Sequence, residues 1–180
     1  MANSPLVSFT KLSPNHSGRR TCSISRITPH AVVGQLSVES ICNCFMNTDR
    51  QASCNYAIGA NGRIGLCVDE ANRSWCSSSR DNDQRAVTIE CASDLTEPYA
   101  MKPEVYSALL ELCADICRRN GKKRLVWFSD RDQALNYQVK SDEILLTVHR
   151  WFARKSCPGN WLMERLGSLA DDVNGKLGVQ

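Results

Sequence analysis

Few residues in this chain are equipped for chemistry beyond packing and solvation. There are three histidines, His16, His30 and His149, and ten cysteines. His149 stands eight residues before Cys157 in the run TVHRWFARKSCPG, and His30 lies far upstream in ITPHAVV. Imidazole nitrogen and thiolate sulfur are the donors zinc favours, and a catalytic zinc takes three protein ligands while keeping a fourth position for water. The His-x7-Cys spacing lets two donors converge from one loop, with the third brought in on a distant strand. On these residues alone two accounts stay open: a zinc site, or packed histidines and a small thiol that bind nothing.

The remaining cysteines carry less. No C-x-x-C pair occurs, which removes the signature of zinc ribbons, zinc fingers and thioredoxin-type redox sites. Most read as small buried hydrophobes kept reduced. A cysteine peptidase with Cys157 as nucleophile would need a histidine base, usually later in the chain, and no histidine follows residue 157.

Periodicity shows which elements must position these groups. Residues 27–33 are β-rich and would hold His30 on a rigid strand. Ser37 caps a helix whose apolar stripe is Val38, Ile41, Cys42 and Phe45. Asn61-Gly62, between apolar runs at 55–58 and 63–68, predicts a tight hairpin with both turn residues at positive φ. Residues 86–92 alternate, placing Val87, Ile89 and Cys91 on one face and Thr88 and Glu90 on the other. Pro103 opens the clearest helix, striped by Val105, Leu109, Leu112 and Ile116 and stopped by Asn120-Gly121. Residues 125–128 predict a short strand and 161–173 a last helix. Residues 11–20 read as an irregular arm, 69–85 as a long polar loop, and the stretch after Phe128 as another loop. Short strands mixed with helices, through both hairpin and crossover connections, predict an α/β fold with a mixed central β-sheet flanked by helices.

Composition narrows the function classes. A chain of 180 residues suits one domain with a continuous core. At 42% hydrophobic and 23% charged, with ten glycines and six prolines, it is neither disordered nor fibrous. A net charge of +3 is too slight to argue for nucleic acid. The basic run at 118–124 is explained by the end of a helix. No apolar stretch approaches the ~18 residues that span a bilayer, and the N-terminus has no apolar signal core. The expectations are no nucleic acid, no membrane insertion and synthesis in the cytoplasm.

Taken in order, ITPHAVVG, NYAIGANGRIGL, RAVTIECAS and TVHRWFARKSCPG resemble the zinc N-acetylmuramoyl-L-alanine amidase family, which includes phage endolysins and shares its fold with peptidoglycan recognition proteins. The most specific part is H-x5-K-x-C-P-G. The resemblance implies that His30, His149 and Cys157 hold zinc, that Glu90 is the acid/base, and that Lys155 polarises the scissile carbonyl. It implies a catalytic domain over residues 1–175, with 176–180 a tail or the start of a linker. It also implies a monomer acting on bacterial peptidoglycan after release from the cell, with room for a wall-binding region beyond the C-terminus. Some members use a tyrosine before the hairpin; Cys54 holds that position here, so Tyr56 receives no catalytic role. Trp75, Arg73, Asn82 and Trp151 are candidates for substrate contact, with Trp151 also suited to wedging the ligand loop. A non-catalytic wall-binding module of the same fold is the competing reading.

Overall fold

A computed structural model describes residues 2–179. Its frame is a seven-stranded mixed sheet in the order β1 (Val7–Thr10), β5 (Ile64–Leu66), β4 (Tyr56–Ile58), β7 (Ala86–Cys91), β3 (Arg26–Ala31), β9 (Glu143–Leu146) and β8 (Arg124–Val126). β4 and β5 pair antiparallel, and the other neighbours in this order are parallel. Parallel strands need cover on both faces. Accordingly β9 is buried at every position, and β3 and β7 at all but one each. The alternation in β7 therefore separates two covered faces: Thr88 is fully buried, with its Oγ1 2.8 Å from Ser74 Oγ, and Glu90 is partly buried.

Helices supply that cover. α1 (Val38–Cys44) starts at Ser37, whose hydroxyl accepts the Ser40 N–H as the sequence predicts, and packs on β4 and β5. α3 (Pro103–Arg119) carries proline in its first turn, where the missing N–H costs nothing. It buries Val105, Leu109, Leu112 and Ile116 against the sheet and α6 (Leu166–Leu177). Each such side chain contributes ~1.5–3 kcal/mol on burial.

The hairpin forms where Asn61-Gly62 predicts it, by a different geometry. Gly62 donates to Gly59 O at 2.8 Å and takes φ +78°, while Asn61 keeps a negative φ and accepts the Arg63 N–H through its side chain. A Cβ at Gly62 would also sit 2.8 Å from the Glu104 carbonyl oxygen, so the turn admits little else.

Three segments read as irregular contain elements. The opening arm, 11–20, holds all of β2 (His16–Arg19), which pairs with β6 (Asn72–Ser74) as a two-stranded ribbon. The polar run 69–85 holds β6 and α2 (Arg80–Arg85), the latter capped by Ser79. The stretch after Phe128 holds α4 (Arg131–Asn136), capped by Asp130, and β9. The last helix is two helices, α5 (Asn160–Met163) and α6, which runs on to Leu177.

Two polar fastenings complete the frame. Glu70, with a side chain 0% exposed, takes both terminal nitrogens of Arg119 at 2.7 and 3.0 Å, Asn120 Nδ2 at 3.0 Å and the Tyr56 hydroxyl at 2.7 Å. At the far edge of the sheet, the Asn174 side chain accepts the Leu125 N–H at 2.8 Å and donates to the Leu125 carbonyl at 2.9 Å.

Candidate metal centre

Parallel β-strands present their carboxyl ends on one side of a sheet, where α/β folds place their sites. His30 is the fifth of six residues in β3, and the parallel register sets it directly beside Glu90 of β7. β9, on the other side of β3, ends at Leu146 and leads into a single 3-10 turn, His149–Trp151. The loop that follows returns Cys157 to the same place. Arg150 holds that loop closed: its backbone N–H donates to Cys157 O at 3.1 Å and its guanidinium to Ser156 O and Asn160 Oδ1. Gly159 completes the return at φ +87°, where a Cβ would lie 2.6 Å from the Pro98 carbonyl oxygen.

The ligand-type atoms of His30, His149 and Cys157 all lie within 4.8 Å of one another. Cys157 Sγ is 3.4 Å from His30 Nδ1, and the two imidazole rings meet edge to face at 5.1 Å. Ser78 Oγ lies 2.9 Å from His149 Nε2, so one nitrogen of that ring already has a protein partner. Burial, then the neighbouring His149, pushes His30 down to about 3. Burial and then the Lys155 charge lower His149. Both shifts favour the neutral ring, which has a lone pair to give. Burial and then Glu90 raise the Cys157 thiol.

A second set shares His30. The ligand-type atoms of His30, Cys76 and Glu90 also lie within 4.8 Å of one another. Cys76 Sγ sits 3.7 Å from Glu90 Oε1, while Glu90 Oε2 and His30 Nε2 are buried with no hydrogen-bond partner. Burial pushes the Glu90 carboxyl up to about 7. Buried polar atoms are normally satisfied, so two orphans side by side mark a place where the fold has left capacity for something else.

An open cleft of about 470 Å³ adjoins this point, walled by Arg73, Trp75, Ser78, Arg80, His149 and Lys155. Of the four sequence candidates for substrate contact, Arg73 and Trp75 line the cleft. Asn82 and Trp151 do not. Asn82 is fully buried, donating to Thr28 Oγ1 at 3.0 Å and Ser77 Oγ at 3.1 Å and accepting from Thr147 Oγ1 at 3.1 Å. It ties α2 to β3 and to the end of β9, two residues before His149. Trp151 is buried and stacked on Trp127 with ring centroids 5.3 Å apart, at the start of the loop that carries Cys157. Tyr56 faces Glu70 rather than the cleft. Sequence reasoning does not single out Cys76, Ser78 and Arg80, because the run 69–85 reads as a polar loop with no fixed positions. The cap-and-helix signal Ser79-RDNDQR was there to find, and α2 fixes the loop before it: Asp83 accepts the backbone N–H groups of Cys76 and Ser77.

Comparison with known proteins bears on what this arrangement is for. Among solved structures, the chain is similar to the Staphylococcus aureus hydrolase AmiA, crystallised with its ligand: 12% identity, covering 97% of this chain and 84% of that one, TM-score 0.66. A mutant endolysin from Bacillus subtilis is 13% identical over 96% of this chain and 99% of that one, TM-score 0.63. The endolysin amidase LysCS from Clostridium intestinale is 17% identical over the whole of both chains, TM-score 0.56. At such identities these likenesses establish the fold, an amidase-type mixed sheet flanked by helices. No curated protein matches the chain in sequence. The family model described as N-acetylmuramoyl-L-alanine amidase does match, over residues 19–160, which spans β3, β7, β9 and the loop carrying Cys157. With most of its length and every element around the site inside that match, the chain belongs to the N-acetylmuramoyl-L-alanine amidase family.

Proposed function

We propose that the chain hydrolyses peptidoglycan at the amide joining the lactyl group of N-acetylmuramic acid to the L-alanine of the stem peptide, using zinc. The observation that carries this reading is the convergence of His30, His149 and Cys157 beside Glu90. Two neutral imidazoles and one thiol suit zinc, whereas magnesium and calcium call for oxygen donors. Zinc held by these three residues would supply a water acidified to a pKa of ~7 and a Lewis acid for the scissile carbonyl.

The remaining steps belong to the chain's own groups. Glu90 accepts the proton of the attacking water and passes it to the departing alanine nitrogen. A carboxyl pushed up to about 7 suits both halves of that task at neutral pH. The Lys155 ammonium, on the wall of the cleft, offsets the charge that develops on the carbonyl oxygen. Arg73 and Trp75 offer the substrate a cation and an aromatic face. Residues 1–175 are the catalytic unit in this reading, and the site of action is the bacterial wall. Cys157 argues against a module that only binds, since the competing reading rests on relatives without that ligand.

The test is the chemistry of the cut. Purified walls digested with the zinc-loaded protein should gain α-amino groups on L-alanine and no new reducing sugars, and a zinc chelator should abolish the gain. Reducing ends without new alanine termini, or undiminished cutting after verified removal of zinc, would overturn the proposal. Cys157→Ser should lose most of the metal, read by elemental analysis.

A further inference from the structure

A second thiol arrangement lies elsewhere in the fold, on a different face of the chemistry. Cys42, on α1, and Cys67, immediately after β5, are both 0% exposed, and their sulfurs are 3.0 Å apart. The sequence builds this approach. Gly65 has no side chain under α1: a Cβ there would meet Val38 Cγ2 at 2.6 Å and Cys42 Sγ at 3.0 Å, so only glycine lets the helix settle with its thiol over the strand end. Cys67 also neighbours Cys54, which is fully buried beside β4. No disulfide is present among the described residues.

We propose that Cys42 and Cys67 are a latent disulfide site, open while the protein is in a reducing medium and closed by a peroxide-class oxidant outside it. Closing the bond needs the sulfurs to move only about 1 Å nearer, since a disulfide measures about 2.05 Å. The balance is simple. One sulfur attacks hydrogen peroxide, the O–O bond breaks, one water leaves and a sulfenic acid remains. The second sulfur then displaces that oxygen as another water while the S–S bond forms. Two thiols are oxidised and both peroxide oxygens are reduced. The neighbouring Cys67 thiol, then burial, raise Cys42 far above the ordinary thiol range, so little thiolate exists in the closed fold and the pair oxidises slowly. The product would staple α1 to the β4–β5 hairpin, restricting the unfolded chain across a loop of 25 residues or so. This site is separate from the metal ligands and does not depend on the proposed reaction.

The experiment treats the zinc-loaded full chain with hydrogen peroxide, blocks remaining thiols under denaturing conditions, and maps non-reduced tryptic peptides. The expected product joins the peptide 27–50 to the peptide 64–73, with the loss of two hydrogens and disappearance on reduction. Cys44→Ser should keep this link, assigning it to Cys42, and Cys42→Ala should lose it. The oxidised protein should melt roughly 5–10 °C higher than the reduced form, a shift absent in Cys42→Ala. A dominant link from Cys67 to the peptide 51–63, which carries Cys54, or no link to Cys67 after the exposed thiols are consumed, would overturn the proposal. The peptide map of the unmutated chain decides the matter even if a variant fails to fold.

Discussion

Two buried polar regions of this molecule are built on opposite rules. Around Glu70 every oxygen is used: Arg119, Asn120 and Tyr56 saturate the carboxylate, and the group is fully enclosed. Around Glu90 the reverse holds: Oε1 has only a distant thiol, and Oε2 and the nearby His30 Nε2 have nothing. Each carboxylate is reached from β4 and its neighbours, yet one serves the fold and the other strains it. Satisfied buried charge holds elements together once formed, whereas unsatisfied buried charge is retained only where a ligand or a proton in transit makes use of it.

The sharpest way to break this contrast is to remove each carboxylate in turn. Glu90→Gln is expected to cut turnover ~10²–10⁴-fold on purified walls while zinc content and the urea midpoint stay unchanged or rise, because a neutral amide costs less to bury. Near-normal turnover would move the proton to another group. Glu70→Ala should do the opposite: a loss of about 1–3 kcal/mol in urea unfolding, as the Tyr56 hydroxyl and the Asn120 amide lose their buried acceptor and Arg119 keeps only Asp115, with normal turnover per folded molecule. Equal loss of activity in both variants would show that the two regions are not separable.

Smaller effects refine the boundary between them. Asn82→Ala should cost about 1–3 kcal/mol by removing the buried amide that joins Ser77 to the Thr28–Thr147 hydroxyl pair, and should lower kcat modestly because the strand end before His149 loosens. A drop in affinity for substrate with no change in stability would return Asn82 to the cleft wall. Trp75→Ala should raise KM about 2–10-fold with kcat and stability nearly constant, the worth of one aromatic face. An unchanged KM would remove Trp75 from the binding surface.

What could be read from the sequence follows the same division between local and tertiary causes. α3 was legible because its stripe, its first-turn proline and its Asn-Gly stop are all local, and β7 because six residues alternate without interruption. β2, with the sequence HSGR, and β6, with NRS, are short, polar and half-exposed, and become strands only by pairing with each other. β9 is Glu143 and three apolar residues, too few to show any period, and its burial comes from lying between β3 and β8. At the site, histidine and cysteine announce themselves by type and spacing, and the glutamate by its place in a strand. A buried asparagine looks the same on paper as an exposed one. Residue type therefore points Asn82 at the cleft and leaves Trp151 between cleft and wedge, and it gives no sign of Cys76 and Ser78, whose positions depend on α2 and Asp83.

The fastening of Asn174 to Leu125 has a consequence for how copies of this protein meet. β8 lies at the border of the sheet, and a border strand offers a free row of donors and acceptors to any other extended chain. The Asn174 carboxamide has the same pair of groups as a peptide bond and occupies the row at its centre, one bond in each direction. A strand arriving from a neighbour would have to displace α6 before it could zip on. The helix thus acts as a stopper against sheet-to-sheet growth.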